Sequence, residues 1–158
     1  MIIKYNSNIS PKPVLIPTYL LEKLGSIGMK ELPNEFGGIL TGLRNESCDI
    51  IVDFITPSKF KQSRTGCTRC PEDLNQYLSS IYNQSHGKLE YLGEWHTHPY
   101  SLPEFSLPDF ISMKEIALDS KTNYSFPYLI IFGLQNEEST YNIYRFKEDT
   151  LVKLDLYK

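Results

Sequence analysis

The chain has 158 residues, a length that suits one domain with a single hydrophobic core. Hydrophobic residues make up 41% and charged residues 22%, as in soluble globular proteins, and the net charge of −3 argues against binding to nucleic acid or anionic lipid. The sequence has no apolar run of about 20 residues that would span a membrane, no secretory signal and no disulfide framework among its three cysteines. We therefore expect one cytoplasmic domain comprising residues 1–158.

Hydrophobic spacing and turn residues predict three helices and six strands. In chain order these are helix 18–30, strands 36–44 and 49–57, helix 71–87, strand 88–98, helix 106–120, and strands 127–135, 140–147 and 150–158. The segment between residues 57 and 71 has no clear pattern and is predicted to be the longest loop. Because helices and strands are interspersed and short turns join most strand pairs, we expect an α/β protein of the α+β type, with a mixed, mainly antiparallel sheet flanked by helices.

Two histidines, His96 and His98, stand one residue apart at the end of predicted strand 88–98. Alternate side chains of a strand share a face, so both imidazoles point one way and Trp95 points the other way, into the core. Two neutral imidazoles on one face form half of a zinc site. Asp109, in the first turn of the next helix, is placed to be a third ligand, and three protein ligands leave one position open, as in catalytic zinc sites.

Two further residues complete a catalytic set. Glu35, in NEFGGILTG, is the candidate general base, because the paired glycines after it let another strand approach closely. Ser106 would donate its hydroxyl to the oxyanion of a tetrahedral carbon. Each residue alone has a simpler explanation, such as a surface histidine pair, a helix cap with an acidic first turn, or an exposed acid. Their joint occurrence predicts a metal-assisted amide hydrolase.

Nearby residues allow more than one interpretation. Glu94 shares the face of the two histidines and is either a group behind the ligands or a surface charge. Cys67 and Cys70 belong to a second metal site, form a redox pair or are ordinary thiols. A zinc deaminase is excluded, because its H-x-E precedes P-C-x-x-C, whereas this chain has C-x-x-C before H-x-H.

The patternless segment 57–70 is also basic. A solvated loop is the simple interpretation. The alternative is a loop that binds the extended tail of a protein substrate, with Arg64 and Arg69 as candidate substrate-binding residues. Tyr100, directly after the H-x-H-P sequence, is a third candidate, and packing within its loop is the alternative role.

Glu35, the H-x-H-P of residues 96–99 and the S-x-x-D of residues 106–109 together resemble the JAB/MPN metalloprotease signature, often called the JAMM motif. Every position of that signature is matched, including the seven residues between the second histidine and the serine. The resemblance extends over roughly residues 14–150 and implies the JAB/MPN, cytidine-deaminase-like fold of a zinc isopeptidase or peptidase. It further implies that the Zn²⁺ ligands are His96, His98 and Asp109, that the acid/base is Glu35 and that the oxyanion is stabilised by Ser106.

Within that family, GGILTG and YLGEWHTHP are most similar to short prokaryotic members that lack a second domain. Those include proteins of integrative and conjugative elements and the deconjugating protease of bacterial CBASS anti-phage operons, which the chain resembles most. The resemblance implies cleavage after the C-terminal tail of a ubiquitin-like protein or of a nucleotidyltransferase conjugate, in a pathway with an E1/E2-like enzyme. Two alternatives remain open: processing of a ubiquitin-like or sulfur-carrier precursor, and a non-catalytic MPN-type scaffold.

Overall fold

The structure is a computed structural model that describes residues 1–8, 12–120 and 124–157. Within these ranges the chain forms ten strands and three helices. They are β1 (Ile2–Asn6), β2 (Val14–Pro17), α1 (Thr18–Glu31), β3 (Gly37–Arg44), β4 (Asp49–Ile55), β5 (Phe60–Ser63), β6 (Gly66–Arg69), α2 (Pro71–Gln84), β7 (Glu90–Pro99), α3 (Leu107–Leu118), β8 (Tyr128–Gln135), β9 (Glu138–Lys147) and β10 (Thr150–Leu156). None of the helices in the described ranges combines the length and the apolar character that crossing a membrane requires.

Eight strands form one sheet that closes on itself in the order β1-β10-β9-β8-β7-β3-β4-β2. Neighbouring strands are antiparallel except for the parallel pairs β7–β8 and β2–β4. This confirms the predicted mixed, mainly antiparallel sheet. β7 lies between β3 and β8 and pairs with both strands over Gly93–His96, while β8 alone continues the pairing to Pro99.

The main core lies between α1 and the sheet. Its fully buried members include Leu20, Leu24, Leu92, Trp95 and Phe132. Trp95 makes edge-to-face contacts with three phenylalanines, Phe36, Phe54 and Phe132. Aromatic pairs in this geometry contribute about 0.5–1.5 kcal/mol beyond the burial of their area. The prediction that Trp95 lies in the core is confirmed, and its burial holds β7 rigidly at the centre of the sheet.

Two parts of the fold differ from the prediction. The predicted loop between residues 57 and 71 is instead a separate β-hairpin of β5 and β6. Its strands have four residues each, β5 is largely exposed and β6 is largely half-buried, and no alternation of apolar and polar side chains marks them in the sequence. No strand was predicted before α1, yet β1 and β2 close the main sheet by pairing with β10 and β4. Lys158, the end of the last predicted strand, lies outside the described residues.

Candidate metal and catalytic site

β7 places His96 and His98 on one face of the sheet, two residues from each other. His96 lies opposite Gly37 of β3. A Cβ atom at Gly37 would lie 2.7 Å from the His96 Cβ and would collide with the Trp95 carbonyl oxygen. The absence of a side chain at Gly37 is therefore what lets β3 pair so closely with the strand that carries the histidines. The predicted close approach at the paired glycines is confirmed.

α3 begins directly after Ser106, and its first turn carries Asp109. The Asp109 N–H donates to Ser106 Oγ over 3.3 Å, and the Ser106 N–H donates to Asp109 Oδ2 over 2.7 Å. This reciprocal capping box satisfies two donors that the helix itself cannot pair. It confirms the capping position predicted for Ser106, and it also fixes the orientation of the Asp109 carboxylate.

The side chains of His96, His98 and Asp109 converge. The two Nε2 atoms are 3.1 Å apart, Asp109 Oδ1 is 3.1 Å from His96 Nε2, and Asp109 Oδ2 is 3.3 Å from His98 Nε2. A tetrahedral ion with bonds of 2.0–2.1 Å separates its ligand atoms by about 3.3–3.4 Å. Both the spacing and the donors, two imidazoles and a carboxylate, therefore fit Zn²⁺. In the part of the chain that the structure describes, no second cluster of this kind occurs.

The charge of Asp109 suits a metal ligand. Burial alone would raise the pKa of its carboxyl group, but hydrogen bonds with His96, His98 and the Ser106 N–H hold the pKa well below its usual range. Asp109 is thus a carboxylate at neutral pH. Its position at the N-terminus of α3 favours the same negative charge, because the helix dipole is positive there.

Glu35 lies just before β3, beside these three residues. The register that pairs Gly37 with His96 brings Glu35 level with His98. The Glu35 N–H donates to the Ser63 carbonyl of the hairpin over 2.7 Å. Burial raises the pKa of the Glu35 carboxyl above its ordinary value, although His96 and His98 act in the opposite direction. A half-buried glutamate with a raised pKa beside a ligand cluster has the properties of a general acid/base.

Glu35 and two of the three clustered residues line a cleft of about 130 Å³ that lies next to a larger groove. The cleft wall includes Glu35, His96 and Asp109. The groove, of about 650 Å³, continues between α2, β6 and β7 over an apolar surface that includes Ile39, Leu74 and Leu78. Both spaces are bordered by Cys67, Arg69, Glu94 and Ile116. A small cleft beside a larger, partly apolar groove is suited to an extended peptide segment.

The three candidate substrate-binding residues lie in different places. Arg69 borders the cleft, where its Nη1 atom is 2.6 Å from Glu94 Oε2. Arg64 is exposed at the turn of the hairpin, and the Tyr100 side chain is 64% exposed. Neither Arg64 nor Tyr100 is among the residues that line the cleft. Their role in binding substrate stays a prediction.

Glu94 is not a surface charge, because only 8% of it is exposed. One carboxylate oxygen pairs with Arg69, and the other accepts a hydrogen bond of 2.9 Å from the Tyr91 hydroxyl. Glu94 and His96 are two residues apart in a predicted strand, and this spacing correctly indicated that they share a face. The Arg69 partner could not be inferred, because it lies in the segment for which no hairpin was predicted.

The cysteines show no second metal site among the described residues, and all three are free thiols. Cys67 borders the cleft, and burial raises the pKa of its thiol, which favours the neutral, less reactive form. Cys70 precedes α2, and its thiol donates to Glu72.

The cleft is also lined by three residues of α3, Ser112, Met113 and Ile116, but no chemical pattern in the sequence indicates this.

The chain belongs to the family of prokaryotic homologues of the JAB domain, whose model matches residues 17–147. This confirms the resemblance seen in the sequence. A curated relative, the CD-NTase/cGAS isopeptidase of Enterobacter hormaechei subsp. hoffmannii, is 34% identical over 134 residues, which cover 83% of this chain and 73% of the relative. A protein of the same name from Escherichia coli (strain TW11681) is 37% identical over 81 residues, 51% of this chain and 50% of that protein.

A solved structure has the same fold. The solution structure of protein DSY2949 from Desulfitobacterium hafniense superimposes with a TM-score of 0.61 at 19% identity, and the match covers 90% of this chain and 88% of that one. The predicted α+β fold class and the JAB-type fold are thereby confirmed.

Proposed function

We propose that this protein is a zinc-dependent isopeptidase of the JAMM type, which cleaves the amide bond after the C-terminal tail of a conjugated protein. The observation that carries the proposal is the convergence of His96, His98 and Asp109 on one point, next to a cleft that His96 and Asp109 line together with Glu35. Membership of the JAB family and two relatives named isopeptidases support a hydrolase. Those names also support a CD-NTase conjugate as the substrate, and hence a role in CBASS anti-phage defence.

His96 Nε2, His98 Nε2 and a carboxylate oxygen of Asp109 would hold the zinc ion. When bound, zinc supplies a Lewis acid that polarises a carbonyl group and makes water more acidic. Contacts within the chain hold the three side chains in position to bind the ion. The Ser106 N–H fixes the carboxylate, and the pairing of β7 with β3 and β8 fixes both imidazoles.

Glu35 moves the protons of the reaction. As a carboxylate it accepts a proton from the attacking water, and it then returns that proton to the departing amine. Its raised pKa suits both steps, because a higher pKa makes the carboxylate a stronger base, and a pKa closer to the working pH lets both the carboxylate and the carboxylic acid be populated. The hydrogen bond from its N–H to Ser63 holds the residue beside the cleft.

Ser106 is able to stabilise the oxyanion while it caps α3. Its Oγ atom accepts the hydrogen bond from the Asp109 N–H, so the hydroxyl hydrogen is left to donate elsewhere. A donor held in place before the reaction stabilises the charge that develops on the tetrahedral carbon.

The groove beside the cleft would receive the extended tail of the substrate. A peptide strand presents alternate side chains to the protein, and the apolar groove between α2 and β7 offers a surface for one such row. The cleft next to the metal ligands is much smaller, which favours small residues such as glycine at the scissile bond. We further propose that the protein acts in the cytoplasm, alongside the E1/E2-like enzyme that forms the conjugate.

A cleavage assay tests this proposal. The zinc-loaded protein is incubated with a CD-NTase tail joined to a lysine side chain, and separately with a linear ubiquitin-like precursor. We expect cleavage after the last tail residue of the CD-NTase conjugate, none after zinc is chelated, and none by Glu35→Gln. Cleavage of the linear precursor alone would favour the processing alternative, and absence of cleavage of both by zinc-loaded protein would favour the scaffold alternative.

A further inference from the structure

The hairpin of β5 and β6 is a separate structural unit beside the site. In the described residues it is a two-stranded sheet that does not extend the main sheet. An isolated two-stranded hairpin is at best marginally stable in water. Its position must therefore come from the contacts that attach it to the rest of the protein.

Two of these contacts lie at opposite ends of the hairpin. Near the turn, the Ser63 carbonyl accepts the hydrogen bond from the Glu35 N–H. At the base, where Arg69 pairs with Phe60, the Arg69 guanidinium contacts Glu94 of β7. Three residue steps along a strand separate the two ends by about 10 Å. The edge-to-face contact of Phe60 with Phe36 and the hydrogen bond from Gln62 Nε2 to Glu31 Oε2 also attach the hairpin, and the ion pair is the charged contact among them that joins its base to β7.

The contact at the base is a short, partly buried ion pair, although its two closest atoms do not have the geometry of a hydrogen bond. Arg69 Nη1 and Glu94 Oε2 are 2.6 Å apart, and the two side chains are only 26% and 11% exposed. The Tyr91 hydroxyl donates a hydrogen bond to the other oxygen of Glu94, so one oxygen is hydrogen-bonded and the other faces the Arg69 guanidinium. Removing one member of a partly buried pair leaves the other charge without compensation, which is more disruptive than the loss of an exposed pair.

We propose that Arg69 and Glu94 are positioning residues: their ion pair holds the hairpin against β7, and the hairpin in turn holds Glu35 beside the metal ligands. Arg69 then acts on the reaction through Glu35 rather than through the substrate. This differs from the role in substrate binding that the sequence suggested for Arg69. The inference rests on the proposed function only where it concerns turnover, because the effect on the hairpin itself is independent of it.

The test compares Arg69→Gln, Arg69→Lys, Glu94→Gln and the double variant Arg69→Gln/Glu94→Gln with the wild type. Lys61→Gln is the matched control, since Lys61 is an exposed cation of the same hairpin and faces Thr68 across it. Amide hydrogen exchange, zinc content, and kcat and KM on the conjugate are measured for each protein. Exchange reports the position of the hairpin without any need for activity.

We expect the amides of Glu35 and of residues 60–69 to exchange about tenfold faster or more in Arg69→Gln and Glu94→Gln, with β7 and β8 unchanged. Zinc content should stay constant, and kcat should fall by about 10- to 100-fold with little change in KM, because the misplaced group is the acid/base. The double variant should resemble either single variant, and Arg69→Lys should recover part of the loss. Lys61→Gln should match the wild type.

Unchanged exchange in the hairpin would overturn the inference. So would a rise in KM at constant kcat, since Arg69 would then bind substrate directly. Global unfolding of Arg69→Lys, Arg69→Gln and Glu94→Gln alike would make the pair a general stability element and would also overturn it. If the wild type cleaves no conjugate, the proposed function fails, yet the exchange measurement still decides whether the ion pair positions Glu35.

Discussion

Ser106 and Asp109 exchange two hydrogen bonds across the first turn of α3, so the residue that caps the helix also orients the carboxylate of the proposed metal ligand. The start of this helix therefore serves stability and chemistry together. A change at either position is expected to affect both, and the two effects are separable by the choice of substitution.

Ser106→Ala removes the hydroxyl that accepts from the Asp109 N–H. We expect the free energy of unfolding to fall by about 1 kcal/mol, as for other lost N-caps. We also expect kcat to fall by about 100-fold, as for the loss of one oxyanion donor. Urea unfolding and the cleavage assay measure the two effects. Ser106→Thr, which keeps a hydroxyl, should retain most of the stability, and an alanine variant as stable and active as the wild type would refute both roles.

Asp109→Asn keeps an oxygen that accepts from the Ser106 N–H but removes the negative charge. The helix should remain formed, because its cap is intact, whereas zinc affinity should fall by at least about 100-fold, more than for loss of a residue that only supports a ligand. Competition with a coloured chelator measures the affinity, and circular dichroism checks the helix. Glu115→Gln, on the exposed face of α3, is the control and should bind zinc as the wild type does. Equal zinc affinity of Asp109→Asn and the wild type would exclude Asp109 as a ligand.

Glu35 should reveal its raised pKa in the pH dependence of stability of the metal-free protein. A carboxyl whose pKa is higher in the folded state is protonated more readily when folded, so it favours folding at low pH and opposes folding once the pH exceeds its folded pKa. Metal-free Glu35→Gln should therefore be more stable than the wild type at pH 7, and this advantage should shrink as the pH falls through the folded pKa and be gone below about 4.5, the ordinary glutamate value. Tm measured for both proteins from pH 4 to 7 decides this, and a constant difference would contradict it.

Gly37→Ala should disturb the pairing of β3 with β7, because the added methyl group has no room beside His96 and the Trp95 carbonyl. Forcing an extra methyl group into a packed site costs about 1–3 kcal/mol, and any shift of β3 displaces Glu35 from His98. The melting temperature Tm and kcat should both fall, as thermal unfolding and the cleavage assay will measure. Gly66→Ala is the control, since a Cβ there meets only the Ser63 Oγ at 3.9 Å. Equal tolerance of the two substitutions would mean that β3 does not need its close approach.

The local patterns in the sequence predicted the parts of the fold that carry the chemistry. The even spacing of His96 and His98 predicted their common face, and the serine before an acidic first turn predicted the start of α3. β1 and β2 were missed because their stability comes from pairing with β10 and β4, far away in the chain. The hairpin was missed because its two short strands have no apolar alternation.

That omission had a consequence for the site. Without the hairpin, nothing indicated that Ser63 contacts the Glu35 backbone or that Arg69 pairs with Glu94. The chemical groups were therefore predictable from the motif, whereas the contacts that hold them depend on tertiary structure. The catalytic roles of Glu35 and Ser106, and the extent of the domain over residues 1–158, stay predictions.

The most direct test of the central claim is the anomalous diffraction of crystals grown with zinc, recorded on both sides of the zinc absorption edge. We predict one zinc peak per chain, with bonds of about 2.0–2.2 Å to His96 Nε2, His98 Nε2 and an Asp109 oxygen, and with Glu35 beside it. The claim would be contradicted if zinc bound elsewhere, for example at Cys67 and Cys70. It would also be contradicted if His96, His98 and Asp109 held no zinc at a saturating zinc concentration.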